Sequence, residues 1–510
     1  MDKLEAFRTH INSGYTFKND YFVLGTAILD AEPVSDAQIK IPLKTLNRHG
    51  LIAGATGTGK TKTLQVLAEQ LSLKGIPSVL MDLKGDLSGL AMPGIENPHI
   101  SKRSEAIGVA FEAQGLPVEL MTISQEKGVK LKATVSEFGP VLIAQILELN
   151  DTQRGVIAMV FRYCDTHHLP LLDLKDLKKV LQFVINEGKE EIAKEFGAVS
   201  SATVNTIMRK LIELEQQGAD HFFGEVSFDV ADFVRTVDGK GVVSIIRLTD
   251  IQNRPKLFST FMLSILSEIY ETFPEVGDPD KPKLCLFIDE AHLVFNNASK
   301  DLLDKIEAIV KLIRSKGVGV YFCTQAPTDV PEKVLGQLGL KIQHALRAFT
   351  AKDRKDITKT AENYPISTYY KTSEVLTSMG IGEAIVTALN EKGVPTPLAH
   401  TLLRAPISRM DILDQQEIDV LVKNSVLVPK YNIPLDRVSA FELLDAKISR
   451  SEIEAERKAG SKPAAPRGRP VKETSFMDEL SKNTMVRQLG RTIFRELTRG
   501  ILGSISGKKR

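Results

Sequence analysis

The segment Gly54-Ala55-Thr56-Gly57-Thr58-Gly59-Lys60-Thr61 matches the pattern G-x-x-x-x-G-K-[ST] at every position. Glycines let successive backbone N–H groups turn toward one point with no Cβ in the way, and a helix N-terminus adds partial positive charge. A short apolar run at 50–53 precedes the segment, and apolar residues at helical spacing follow it over 64–71. This order of strand, loop and helix predicts a phosphate-binding loop.

The last residues of the loop have separate expected roles. Lys60 would bridge the β- and γ-phosphates of a nucleotide, and the Thr61 hydroxyl would ligate Mg²⁺. Thr63, two residues into the helix, completes the set of candidate nucleotide-binding residues. The loop therefore predicts ATP and Mg²⁺ as cofactors.

Length and composition are those of an ordinary globular chain. The 510 residues are 43% hydrophobic and 25% charged, and the formal net charge of +2 identifies no class of partner. Its three cysteines show no metal-ligand or CxxC spacing, which predicts buried thiols in a reducing compartment. We find neither a secretory leader nor an apolar run of about 18 residues. We therefore expect a cytoplasmic protein.

Strand and helix patterns alternate in two parts of the chain, 46–100 and 231–410, and predict one α/β domain with a mainly parallel sheet. Residues 1–45 hold one or two strands, too few for a separate domain, and are expected to join this sheet. Residues 101–230 show mostly helical spacing and predict a helical insertion. Further helical patterns fill 411–460.

Polar residues follow three of the predicted strands. Asp82–Asp86 comes after the strand at 77–81, where open α/β sheets place ligand-facing groups, although a solvated turn would look the same. Asp289 and Glu290 close the apolar run at 284–288. Asp289 can hold the Mg²⁺ hydration shell, and Glu290 is placed to orient or deprotonate the attacking water. The phosphate loop favours this interpretation over an acidic turn.

The strand at 319–323 ends at Thr324 and Gln325, either of which could touch the γ-phosphate and report its loss. The helix before that strand ends at Arg314. This arginine is either a cation that suits a helix C-terminus or an arginine finger for the site of a neighbouring subunit, which would require an oligomer. Secondary candidates for the finger are Arg347 and Arg354.

Together these motifs resemble those of the HerA/FtsK superfamily of ring-forming P-loop motors. The resemblance covers most of 20–410 and is greatest to the short HerA-like, YjgR-type group of bacterial proteins. The segments that carry it are Gly54–Thr61, Asp82–Asp86, Phe287–His292 and Arg314 through Pro327. It implies a RecA-like P-loop NTPase fold and a homo-hexamer with ATP sites between subunits. It also implies a central pore, which in HerA and FtsK translocates double-stranded DNA.

The resemblance also carries over site residues. Lys60, Thr61, Asp289 and Glu290 match the family motifs, and Gln325 and Arg314 fall at the corresponding sensor and finger positions. There are two departures. Residues 1–45 are expected to leave no room for the β-barrel that precedes the motor in HerA. Cys-Thr-Gln-Ala-Pro stands at 323–327, where the family commonly has Thr-Gln-Arg-Pro.

The C-terminal region changes composition. Residues 461–475 form a linker rich in Pro, Gly and basic residues, and 476–510 form a basic amphipathic tail. Arg467–Pro470 is either the core of an AT-hook, which enters the A·T minor groove, or plain basic linker. The tail could dock on the motor or a partner, bind phosphates, or lie on an anionic membrane; docking is favoured over membrane contact.

The sequence thus predicts an α/β, RecA-like P-loop ATPase that carries a helical insertion and a basic helical tail. We expect Mg²⁺-dependent ATP hydrolysis by a hexameric ring that translocates or remodels double-stranded DNA. The alternative is a nucleotide-switched scaffold or protein-remodelling ATPase. It would recruit a protein partner through 101–230, or a membrane through the tail.

Overall fold

The computed structural model describes residues 2–295 and 300–460, in two compact units. The first unit comprises Met1–Leu131 and Phe228–Ile433. The second comprises Lys132–Ser227 together with Pro434 and the residues after it. The AT-hook candidate, the linker and the basic tail, all within 461–510, lie outside the described residues.

A mixed sheet forms the centre of the first unit. Its strands and those of a small hairpin are β1 (Tyr21–Leu29), β2 (Glu32–Pro42), β3 (Gly50–Ala53), β4 (Ser78–Asp82), β5 (Val118–Thr122), β6 (Val129–Lys130), β7 (Thr236–Val237), β8 (Lys240–Gly241), β9 (Val243–Arg247), β10 (Leu284–Ile288), β11 (Val318–Thr324), β12 (Leu340–Gln343), β13 (Glu383–Thr387) and β14 (Ala399–Leu403). The described part of the chain gives one twelve-stranded sheet, in the order β2-β1-β14-β13-β12-β3-β11-β10-β4-β9-β5-β6, and β7 pairs with β8 separately.

Most of this sheet is parallel. The strands from β12 to β6 in spatial order all pair in parallel, whereas the four strands from β2 to β13 form an antiparallel edge. Every residue of β10 and β11 is buried, as expected for apolar strands covered on both faces. The predicted α/β fold with a mainly parallel sheet is confirmed.

Strand β11 lies between β3 and β10 and sets their register. Thr324 of β11 pairs with Ala53, the last residue of β3, and Phe322 pairs with Ile288, the last residue of β10. Because the three strands run in parallel, their carboxyl ends meet at one edge of the sheet. The predicted site segments follow those ends directly.

The helices are α1 (Lys3–Gly14), α2 (Lys60–Leu73), α3 (Pro98–Ile107), α4 (Val135–Ile146), α5 (Asp151–Thr166), α6 (Leu174–Ile185), α7 (Lys189–Phe196), α8 (Ser201–Gln216), α9 (Pro255–Thr272), α10 (His292–Phe295), α11 (Lys300–Ile313), α12 (Glu332–Leu335), α13 (Ala351–Glu362), α14 (Thr372–Ser378), α15 (Gln415–Lys423), α16 (Val428–Tyr431) and α17 (Ala440–Gly460). Helices α4–α8 and α17 belong to the second unit, and the others belong to the first.

The regular structure described in the second unit is helical, apart from isolated bridges. Its apolar faces pack together, and α17 lies against α6, where the Phe441 N–H donates to Asp176 over 2.9 Å. The segment predicted as an insertion, 101–230, is shared between the units. Residues up to Leu131, including β5, lie in the first unit, and Lys132–Ser227 lie in the second. No helix within 2–295 or 300–460 is both long and apolar enough to span a bilayer.

Helix α2, which follows the phosphate loop, is buried on nearly all sides. Its Glu69 carboxylate is fully buried and accepts the backbone N–H groups of Ile407 and Ser408 at 3.0 and 2.9 Å. Burial raises the pKa of Glu69, while these hydrogen bonds lower it. A buried carboxylate with such partners ties the helix to a distant part of the chain, which holds the loop in place.

Candidate functional site

The phosphate loop has the geometry that its sequence predicts. Gly54 and Gly59 have positive φ angles of 153° and 112°, and α2 begins immediately at Lys60. A Cβ on Gly54 would lie 2.4 Å from the Cβ of His344, so only glycine fits there. The Lys60 ammonium is buried and donates to the carbonyl oxygens of Gly54 and Ala55 at 2.6 and 3.2 Å. The Lys60 side chain therefore lies across the loop.

A histidine that the sequence reading missed supports this loop. His344, just after β12, is fully buried, and its Nε2 lies 2.9 Å from the Thr63 hydroxyl while its Nδ1 lies 3.0 Å from the Glu383 carbonyl oxygen. The following residue, Ala345, accepts the N–H of Ala55 at 2.9 Å. The Thr63 side chain thus faces the protein interior and helps to fix the loop helix.

The two predicted acids lie at the carboxyl end of β10. Asp289 is buried, and its pKa is raised to about 7, chiefly by burial, with Lys84 opposing the shift and the Glu290 charge adding to it. Burial acts to raise the pKa of Glu290 as well, but contact with Lys84 and the charges of His292 and Lys60 hold it below its usual value. Glu290 also has a φ of 47°, a left-handed conformation that is uncommon outside glycine and occurs at functional sites.

The segment after β4 joins the acids. The carboxylate of Asp82 is buried and bonded within its own loop. It accepts the N–H groups of Gly85, Asp86 and Leu87 at 2.7, 3.3 and 3.2 Å. These bonds shape the loop so that Lys84 forms an ion pair with Oε1 of Glu290. Lys84 is thus 40% exposed but is paired with a buried acid. The only feature of the sequence that points to this pair is the presence of a basic residue in the segment after β4.

Burial and neighbouring charges shift the pKa of Lys60. Burial lowers the pKa of Lys60, the Lys84 charge lowers it further, and Glu290 and Asp289 act in the opposite direction. Lys60 and the two acids therefore lie on one edge of the sheet, where β3 and β10 end, and Lys84 pairs with Glu290 there.

Two other predicted residues lie at different positions. Gln325 follows the carboxyl end of β11, level with the phosphate loop, and is exposed, while Thr324 is buried and donates to Asp329 over 2.5 Å. Arg314 precedes β11, whose seven residues span about 20 Å. It lies near Arg48, at the amino end of the sheet, so the structure does not bring it to the site of its own chain. The exposed candidates for a finger in another chain are Arg314, Arg347 and Arg354.

The residues present fit a magnesium nucleotide. Three glycines with positive φ make a cradle for phosphates, and the oxygens of Thr61 and Asp289 are ligands of the kind that Mg²⁺ takes. Within the described ranges, Oε2 of Glu290 is buried without a hydrogen-bond partner, as is Oδ1 of Asp86. No group of three or more His, Cys, Asp or Glu side chains there could hold a metal alone. That suits Mg²⁺, which binds through few protein oxygens plus phosphates.

A phosphate loop, with an acid pair two strands away on the same sheet edge, defines a P-loop nucleoside triphosphatase of the RecA-like kind. The family model described as "Helicase HerA-like C-terminal" matches residues 28–510. The chain belongs to this family. The predicted HerA/FtsK-type membership, and with it the class of P-loop ATPases, is confirmed.

Individual relatives are distant. The DNA double-strand break repair helicase HerA of Sulfolobus acidocaldarius is 21% identical over 374 residues, which cover 69% of this chain but only 64% of that relative. The bacterial conjugative coupling protein TrwB matches with a TM-score of 0.51 at 14% identity, over 79% of this chain and 94% of TrwB. TrwB in complex with the non-hydrolysable ATP analogue ADPNP gives 0.50 at 16% identity, over 78% and 99%. These structures share the fold.

The buried His344 makes stability depend on pH. Burial, with the charge of Lys60 as a smaller cause, lowers the pKa of His344 to about 4, below the value of about 6.5 in an unfolded chain. The unfolded chain therefore takes up a proton first, and the folded protein loses stability as pH falls from about 6.5 to 4. When the pH falls from 7 to 5, the free energy of unfolding of His344→Gln should decrease by about 2 kcal/mol less than that of the wild type. Urea unfolding at the two pH values measures this difference.

The exposed His99→Gln serves as the control for histidine removal. If His344→Gln and the wild type showed the same loss of stability between pH 7 and 5, then His344 would not be held neutral in the fold.

Proposed function

We propose that the chain is a Mg²⁺-dependent ATPase that works as a homo-hexameric ring motor on double-stranded DNA. The observation that carries the ATPase activity is the parallel register of β3, β11 and β10, which brings the phosphate loop and the acids Asp289 and Glu290 to one sheet edge. A loop that binds phosphates beside a buried acid pair is the arrangement needed to hold and hydrolyse a triphosphate.

The proposed roles follow the chemistry of each group. The backbone of Gly54–Thr61 and the Lys60 ammonium bind the β- and γ-phosphates, with Thr63 holding the helix behind them. Thr61 and Asp289 supply the protein oxygens for Mg²⁺, which neutralises phosphate charge when it is bound. Glu290 takes a proton from the attacking water, and its buried Oε2, which accepts no hydrogen bond and lies 3.1 Å from Nδ1 of His292, supports that role.

Two residues would complete the site. Gln325, exposed at the end of β11, contacts the γ-phosphate and senses its presence. Arg314 acts from a neighbouring subunit, since it lies at the far end of β11 in its own chain. An arginine supplied in this way requires an oligomer, and the family resemblance suggests a hexamer.

DNA as the substrate rests on the relatives. The matching relative is named a DNA double-strand break repair helicase, and this chain spans 64% of its length. We propose double-stranded DNA as the substrate. Residues 101–230 would bind a protein partner, and 461–510 would bind DNA or a protein. We also propose that 46–100 and 231–410 form the ATPase domain, into which 101–230 is inserted, and that the protein acts in the cytoplasm. The three buried, unpaired cysteines among the described residues agree with a reducing compartment.

The role of Glu290 predicts a specific kinetic defect. Glu290→Gln removes the base but keeps the shape of the side chain, so kcat for ATP should fall by about 10²–10⁴ while nucleotide still binds. Lys60→Ala should lose binding itself. Steady-state phosphate release and calorimetric titration with ADPNP distinguish the two. Lys74→Met, which removes an ion pair with Asp20 at the opposite sheet edge, is the control. A Glu290→Gln chain that hydrolyses ATP at the wild-type rate would contradict the assignment.

DNA translocation predicts stimulation by DNA. We expect double-stranded DNA to raise the ATPase rate, with an apparent affinity for DNA that falls steeply as salt rises, because phosphate contacts release counterions. The measurement is phosphate release over a series of DNA and salt concentrations. An ATPase unaffected by DNA would favour the rival function, a nucleotide-switched scaffold that recruits a protein or a membrane.

The position of Arg314 predicts complementation between subunits. Arg314→Ala chains keep an intact phosphate loop and acid pair, whereas Glu290→Gln chains keep the arginine. If Arg314 acts in trans, mixing these two inactive variants should restore activity at shared interfaces, to a rate above the sum of the separate rates. A mixture no more active than its components, or a fully active monomer by light scattering, would exclude the trans role.

A further inference from the structure

The pair formed by Lys84 and Glu290 restrains the residue to which we assign the proton transfer. Lys84 contacts Oε1 of Glu290, while Oε2 lies 3.1 Å from Nδ1 of His292 without the geometry of a hydrogen bond. The Glu290 side chain is 9% exposed, whereas that of Lys84 is 40% exposed. The acid is therefore held in place, and the lysine remains within reach of other anions.

The loop that presents Lys84 is itself fixed. The Asp82 carboxylate accepts three successive backbone N–H groups, and Gly85 has a φ of 76°, which favours glycine. The backbone of the loop is thus held, whereas the Lys84 side chain is 40% exposed and can exchange partners. A flexible four-carbon stem carrying a compact charge suits such an exchange.

The positive charge of Lys84 means that a partner replacing Glu290 must be an anion. Lys84 pairs with Glu290, which follows β10 at the sheet edge where the phosphate loop follows β3, so its ammonium lies on the same edge as Lys60. A terminal phosphate bound by Lys60 therefore enters the field of Lys84. That phosphate carries more negative charge than one carboxylate and offers several oxygens, so it competes with Glu290 for the same ammonium.

We propose that Lys84 is a positioning residue that responds to the γ-phosphate: it pairs with Glu290 until the terminal phosphate of a bound nucleotide takes its ammonium. The exchange frees Glu290 to accept a proton from water only when a triphosphate is present. A diphosphate leaves the pair intact. This inference rests on the proposed ATPase function and adds a means of regulation to the same site.

The exchange is tested by a double-mutant cycle in nucleotide affinity, which needs no turnover. The variants are Glu290→Gln, Lys84→Met and the double variant, titrated with ADPNP and with ADP in the presence of Mg²⁺ by calorimetry. In Glu290→Gln the Lys84 ammonium loses its partner, so the affinity for ADPNP should rise about tenfold. The affinity for ADP should rise by less than about twofold. In the Lys84→Met background, Glu290→Gln should no longer tighten ADPNP.

Several outcomes would overturn the inference. Glu290→Gln is compared in both backgrounds: equal tightening of ADPNP with and without Lys84 would mean that the acid merely repels the phosphates. Equal changes for ADPNP and ADP would mean that Lys84 does not distinguish the γ-phosphate. Lys84→Arg, which keeps the charge, should restore the preference for ADPNP, and its failure to do so would also count against the exchange.

Controls separate this inference from the proposed function. Lys74→Met removes a lysine–carboxylate pair of the same kind at the far end of α2, about 20 Å away, and should leave both affinities unchanged. If the wild type bound neither nucleotide, or Lys60→Ala bound both normally, the ATPase proposal would fail. If those results were as expected but the cycle showed no coupling, only the role of Lys84 would fail.

Discussion

The candidate site depends on the balance of charge between two acids and two lysines in a poorly solvated place. Burial raises the pKa of Asp289 to about 7, whereas contact with Lys84 keeps that of Glu290 low. Lys60 and Lys84 supply the opposing charges at the same edge. A buried charge is costly unless it is paired, and in the proposed exchange an incoming phosphate competes with Glu290 for Lys84. In this proposal, nucleotide binding and catalysis are coupled through electrostatics.

The sheet makes this balance possible. Strand β11 separates β3 from β10, and its parallel register brings the phosphate loop and the acid pair to one edge. Supports from remote parts of the chain hold the loop: His344 contacts Thr63, and the buried Glu69 ties α2 to Ile407 and Ser408. A loop that must accept phosphates without rearranging needs such fixed surroundings.

The sequence predicts the parts of the site that local pattern encodes. Glycine spacing identifies the loop, and continuous apolar runs identify β3, β10 and β11 with the acids after them. It does not reveal α1, or β12 to β14, because polar residues interrupt their apolar stretches, as in Leu340–Gln343. It also cannot reveal the contacts of His344 or the Lys84–Glu290 pair, whose partners are far apart in the chain and meet only through the sheet.

A structure of the wild-type chain with Mg²⁺ and ADPNP tests the central claim most directly. The account predicts that the phosphates lie against Gly54–Thr61 with the γ-phosphate between Lys60 and Lys84. Glu290 should then be released from Lys84 and face a water molecule. Phosphates bound elsewhere would contradict the site itself. A γ-phosphate in the loop with Lys84 still paired to Glu290 would contradict the exchange that couples binding to hydrolysis.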